Sequence, residues 1–188
     1  MTTRQAARRV GRATLAFVVA AAFVASSAAT AASAPGRGDA VLRPDEQIRV
    51  GATGEYQGDD VYAMDDPAQT AYGGARLGHT IVYFVLIEND AVVPDQFRLR
   101  GRGSTTAFSV HYRSGGTGIT RAVVDGAYTT PVLEPGASVT VKVIVGIGHA
   151  QPGQTFNATL AARSVSDPDA RDRVRFVTIR RCGDLGCH

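Results

Sequence analysis

From Gln69 onward the apolar positions of this chain recur every second residue, in short runs broken by glycine, proline and acidic clusters. That alternation marks half-buried β-strands, whose side chains point to opposite faces in turn. QFRLRGR puts Phe97 and Leu99 on one face and Arg98, Arg100 and Arg102 on the other. AFSVHYR sets Phe108, Val110 and Tyr112 against Ser109, His111 and Arg113. SVTVKVIVGI sets Val139, Val141, Val143, Val145 and Ile147 against Thr140, Lys142, Ile144 and Gly146. TFNATLAARSV and RVRFVTIRR close the series, and GITRAVV and AYTTPVL are weaker strands around Asp125 and Gly126. GHTIVYFVLIEND differs, because residues 81–87 are apolar on both faces. Such a run predicts a central strand covered on both sides.

Turn signals separate these runs. Gly115-Gly116, Leu133-Glu134-Pro135-Gly136 and Gln151-Pro152-Gly153-Gln154 are examples. Proline presets one torsion of a type II turn and glycine admits the positive φ of the next. No segment after residue 35 keeps a 3.6-residue apolar period over the length of a helix. Short strands at such spacing predict an all-β, antiparallel β-sandwich of about seven to eight strands over residues 69–181.

The amino-terminal part reads differently. Arg4, Arg8, Arg9 and Arg12 precede an apolar run at residues 13–25, and small residues follow. This is the layout of a secretory signal peptide, and the run is short for a membrane span. Cleavage fits after Ala31, giving a signal peptide of residues 1–31, and also after Ala34. Residues 32–68 are polar and turn-rich, and form either a linker or edge strands laid on the domain; QIRV and DVYA are the short apolar pieces in it.

Several of these residues form a pattern. Gly78-His79-Thr80-Ile81, Asn89, Pro94-Asp95-Gln96-Phe97-Arg98-Leu99, Leu133-Glu134-Pro135-Gly136 and Pro152-Gly153-Gln154-Thr155-Phe156 follow one another along the chain. In this the chain resembles the Ig-like surface-repeat domains of bacteria, such as the cell-adhesion-related domain found in bacteria and the Ig-like domains attached to glycosidases. The resemblance implies an Ig-like sandwich in an exported protein, with a spacing, adhesion or accessory role and no catalytic residues.

Charge changes the picture once the signal peptide is set aside. The whole chain has 20 basic and 17 acidic residues, a net of +3. Without the four arginines of the leader the balance is 16 to 17, which gives no support to nucleic-acid binding. Cys182 and Cys187 lie in the tail, residues 182–188, and an even pair in an exported protein reads as a disulfide. Free thiols, or a metal pair with His188, are the alternatives.

Candidate chemistry is sparse. Asp167, Asp169 and Asp172 in SDPDARDRV could contribute oxygens to a calcium ion, or could simply make a turn. His79, His111 and His149 are not spaced as ligands on one element. There is no G-x-S-x-G, and Glu88 and Glu134 stand alone. The chain has no tryptophan, so a sugar platform would fall to Tyr56, Tyr62, Tyr72 or Tyr128, while Tyr83 and Tyr112 fall on core positions. Arg98, Arg100 and Arg102 form a basic stripe, with Arg113 beside it if the two strands are neighbours. Such a stripe could meet an anionic wall polymer. The expectation is therefore an exported, non-catalytic Ig-like interaction module, secreted or associated with the envelope, whose partner is a protein or an envelope polymer. A glycan- or wall-polymer-binding protein is the second reading, and a small secreted enzyme or inhibitor the third. No cofactor beyond calcium is implied.

Overall fold

The computed structural model describes residues 42–62 and 64–182. The signal-peptide residues, Cys187 and His188 lie outside them, so the described part of the expected disulfide is Cys182 alone. Two five-stranded sheets pack face to face. The first has the order β1 (Pro44–Val50), β3 (Thr80–Asn89), β8 (Ser138–Ile147), β5 (Phe108–Ser114), β6 (Thr117–Gly118). The second has the order β2 (Thr70–Ala75), β10 (Arg171–Arg180), β9 (Thr155–Ser164), β4 (Phe97–Gly101), β7 (Tyr128–Thr129). Eight of the ten strands have five or more residues, in keeping with the all-β sandwich expected from alternation. All pairings are antiparallel except β2 with β10, which is parallel.

Alternation decides what fills the space between the sheets. Tyr83, Val85 and Ile87 of β3, Val141, Val143 and Val145 of β8, and Val110 and Tyr112 of β5 face Phe97 and Leu99 of β4, Leu160 of β9, and Val174 and Phe176 of β10. The Tyr83 and Phe176 rings lie 5.3 Å apart, and Phe108 and Phe156 5.5 Å. The two core tyrosines each keep a polar contact: the Tyr83 hydroxyl reaches Val177 O and Thr178 Oγ1, and that of Tyr112 donates to Arg102 O. The turn before β8 has the expected form, with Gly136 at φ 72° and Ala137 N donating to Glu134 O.

Gly73 is required by close approach. A Cβ there would strike the Ile81 side chain and sit 2.8 Å from the Tyr83 hydroxyl. Ile81 can swing aside, but the tyrosine is pinned by its hydrogen bonds. Gly73→Ala is expected to cost about 1–3 kcal/mol in urea unfolding, as overpacking does; an unchanged midpoint would contradict the packing.

Three local expectations need correction. GITRAVV is not a strand: Thr120–Val124 forms a single helical turn, α1, stabilised by main-chain bonds such as Val123 N to Ile119 O. β3 lies inside its sheet, between β1 and β8, but among the described residues a second layer covers it on one side only. Val82, Phe84 and Leu86 face outward, half-buried, with the Arg49 guanidinium 5.2 Å and the Lys142 ammonium 5.8 Å from the Phe84 ring. Charged side chains folding over the ring replace the expected second layer. Arg113 is not beside the arginine stripe, because β4 and β5 belong to different sheets. Within residues 32–68, QIRV lies in β1, which pairs with β3 along its full length at a sheet edge, and of DVYA the described residues 60–62 lie outside any strand.

Candidate anion-binding face

The outer face of the second sheet is an array of arginines. In β4, Arg98 and Arg100 point away from the core because Phe97 and Leu99 point into it. The same alternation turns Arg163 outward in β9 and Arg171, Arg173 and Arg175 outward in β10. Register then aligns them. Arg98 lies directly opposite Arg163, and Arg163 directly opposite Arg171, so three arginines form one row across three neighbouring strands. Arg100 and Arg173 flank Ala161 in the next row. Arg102, just beyond β4, donates to Asn157 O at 2.7 Å and lies over the Phe156 ring.

Like charges directly opposite on a sheet destabilise it. Asp65 relieves part of the array by pairing with both Arg173 and Arg175. Arg98, Arg100, Arg163 and Arg171 have no carboxylate or hydrogen-bond partner among the described residues. All four line one groove of about 270 Å3, together with Met64, Asp125, Gly126, Ala161 and the main chain of Ala162, whose side chain belongs to the core. Asp125 is held 3.6 Å from Arg121 on the rim. Of the expected stripe, Arg98 and Arg100 are in the groove, and Arg102 stands at its neighbour with Arg100 and Arg173.

Arg163 and Arg171 were not part of the expected stripe. The signal was present, since both occupy outward positions of alternating runs. Their adjacency to Arg98 depends on strand order, which no local pattern carries.

The other candidates are dispersed. Asp167 and Asp169 form a turn, with Asp169 N donating to Asp167 Oδ1, while Asp172 is buried in β10. Asp172 instead accepts from Glu46 N at 2.6 Å, from Gln69 Nε2 and from Arg173 N. The three aspartates are therefore not brought together, and no group of three or more His, Cys, Asp or Glu among the described residues is placed to hold a metal ion. His79, His111 and His149 are exposed and apart from the groove. Tyr56 and Tyr62 are stacked under Arg49 and Arg43, and Tyr128 is packed against the core. Tyr72 alone of the four is open, 71 % exposed, in register with Val177 on the arginine side of the sheet.

A second charged feature lies where β1 meets β9 and β10. Asp45, Glu46, Gln69 and Asp172 are all at most 1 % exposed. Glu46 Oε2 accepts from Ala162 N, whereas Glu46 Oε1, Asp45 Oδ1 and Gln69 Oε1 have no hydrogen-bond partner among the described residues. Burial pushes the Asp45 carboxyl up to about 7 and holds Glu46 and Asp172 above the usual carboxylate range. Neighbouring Asp90 and Asp59 add to the effect on Asp45, and Asp172 to that on Glu46. These groups are internal, and their hydrogen bonds tie β1 to the second sheet.

No family model matches the sequence, and no curated protein matches it. Among solved structures, the chain is similar to the N-terminal domain of PorA, at 13 % identity and TM-score 0.44, over 72 % of this chain and 96 % of that one. A FixG-related protein from Vibrio parahaemolyticus is similar at 10 % identity and TM-score 0.41, over 73 % and 95 %. PapD-like domain 7 of human CEP192 is similar at 10 % identity and TM-score 0.38, over 73 % and 84 %.

Proposed function

We propose that this protein is a non-catalytic, Ig-like interaction module, exported to the envelope or beyond, whose arginine face binds an anionic envelope polymer. One observation carries the reading: four arginines from three adjacent strands, unpaired among the described residues, line a single groove. A sheet gains nothing in stability from Arg98, Arg163 and Arg171 in one row, so their arrangement is explained by an anion that lies across them. The leader-like amino terminus and the resemblance to bacterial surface-repeat domains support the exported setting.

The test is co-sedimentation with envelope fragments at two salt concentrations. Binding is expected to weaken at the higher salt, because exposed charges are screened. Changing Arg98, Arg163 and Arg171 together to serine is expected to reduce it by roughly tenfold or more. The melting temperature should hold or rise slightly as the like-charge row is relieved. Salt-independent binding, or full binding by the triple variant, would remove the arginine face from the function.

A further inference from the structure

A sheet edge is a row of unpaired main-chain groups, and proteins block it with short strands, charge, proline or a covering segment. Among the described residues, three of the four sheet edges are blocked. β6 and β7 have two residues each, and the hydroxyls of Ser104 and Thr120 take up Val110 N and Tyr112 N beside β6. β1 is covered where Ile48 and Gln57 exchange two main-chain bonds of 2.9 Å. β2 is different: its six residues, TAYGGA, carry no charge, no proline and no break in their register with β10. In a parallel ladder one residue turns its N–H and C=O to one side and the next residue to the other. Ala75 O accepts from Arg181 N on the β10 side, and Thr70 N turns the other way, to Pro67 O. Tyr72 and Gly74 therefore turn their main-chain groups outward, where no hydrogen bond from the described residues reaches them.

We infer that β2 is an interface for a second copy of this chain, paired antiparallel edge to edge about a two-fold axis at Gly73. Tyr72 of each copy then stands opposite Gly74 of the other, and each such pair exchanges two main-chain bonds. Ile179 and Arg181 lean over Gly74: a Cβ there would meet Ile179 Cγ2 and Arg181 Nε, each at 2.7 Å. The incoming Tyr72 ring, exposed in the single chain, covers Gly74 and rests on Ile179, also exposed, and on the Arg181 guanidinium. Charge selects the antiparallel arrangement. Asp66 precedes β2, whereas Arg76 follows it and Arg181 lies at that same end. Antiparallel pairing sets the acidic end of one copy beside the basic end of the other, and parallel pairing would set like beside like. The axis is perpendicular to the sheet, so both arginine faces look the same way and a single polymer chain can engage both. The pairing itself does not depend on what the arginine face binds.

Sedimentation velocity of the purified protein from about 1 μM to about 1 mM tests the interface, over the range in which small contacts associate. The mean mass is expected to rise from monomer toward dimer across the series. Tyr72→Lys puts a charge on the edge without touching the core, and should weaken association by about tenfold or more at an unchanged melting temperature. Val92→Lys, at an exposed apolar position in the loop after β3, should leave association intact. Amide hydrogen exchange locates the contact: Tyr72 and Gly74 should exchange more slowly at the high-concentration end of the series. A chain that stays monomeric throughout overturns the interface, and species larger than a dimer overturn the closed two-fold. A dimer that Tyr72→Lys leaves unchanged, or whose Tyr72 and Gly74 amides exchange as in the monomer, pairs through another surface and overturns it as well.

Discussion

Asp172→Ala is expected to unfold about 2–5 kcal/mol more easily than the parent chain, because two main-chain donors lose their acceptor at about 1–3 kcal/mol each. The carboxyl receives Glu46 N at 2.6 Å, Arg173 N at 2.7 Å and Gln69 Nε2 at 2.8 Å. Alanine leaves the two main-chain N–H groups without an acceptor in a site closed to water. Gln69 retains Val61 O. Against a total stability of ~5–15 kcal/mol, such a loss brings the variant close to unfolding at ordinary temperatures. Asp172→Asn is the control. Its carboxamide oxygen can still accept from Glu46 N and Gln69 Nε2, while the NH2 that replaces Oδ1 costs Arg173 N its acceptor. Its cost should be about 1 kcal/mol, that of a typical hydrogen-bond adjustment. Urea unfolding of the three proteins measures both, and equal losses in the two variants would mean that the carboxyl is not the organising acceptor.

That network was the least legible part of the chain. Glu46 sits in RPDE and Asp172 in SDPDARD, both of which read as polar turns. Burial comes from β1 pairing with β3 at one edge while its side chains reach β9 and β10 across the sandwich. Such a contact joins residues more than a hundred positions apart, Glu46 to Ala162 and to Asp172. Residue pattern reports a local face, and it therefore gave β3, β4, β5, β8, β9 and β10 and most of their inward positions. It could not give strand order. The same limit separates Arg98 from Arg163 and Arg171, and leaves the place of Arg113 conditional on whether β4 and β5 are neighbours, which they are not. It also explains β3. An apolar run is consistent with cover on both faces, but here Arg49 and Lys142 shield the outer side, and a long cationic stem is not distinguishable from a solvent-facing charge in sequence.

The arginine face and the buried carboxyls have opposite relations to solution conditions. Arginine remains protonated across the working range, so salt, not pH, governs its attraction for an anion. The carboxyls make the fold itself depend on pH.

Stability is expected to fall as pH rises from about 4 to 7, the reverse of ordinary acid denaturation. Asp45 carries the numerical part. In the unfolded chain it loses its proton near 3.8, and in the folded protein near 7. Between those values the native state holds a proton that the unfolded state has released, so raising the pH favours unfolding. Stability is full below the unfolded value, declines through the window, and is flat above about 7. At ~1.4 kcal/mol per pH unit the decline for this group is on the order of 4 kcal/mol. Glu46 and Asp172, both raised by burial, act with the same sign. The groups facing these carboxyls are Asp90, at the end of β3, and Asp59, after β1, together with Gln47 and Gln69; the Arg173 side chain turns away to Met64 O and Asp65. No cation therefore offsets the penalty among the described residues. Glu46→Gln removes one titrating group while its amide oxygen can still accept from Ala162 N. The variant should show a shallower profile and should match or exceed the parent in stability at pH 8. Melting temperatures at pH 5 and pH 8 decide the matter, and a parent chain that grows more stable between them would show that these carboxyls are ionised in the folded protein.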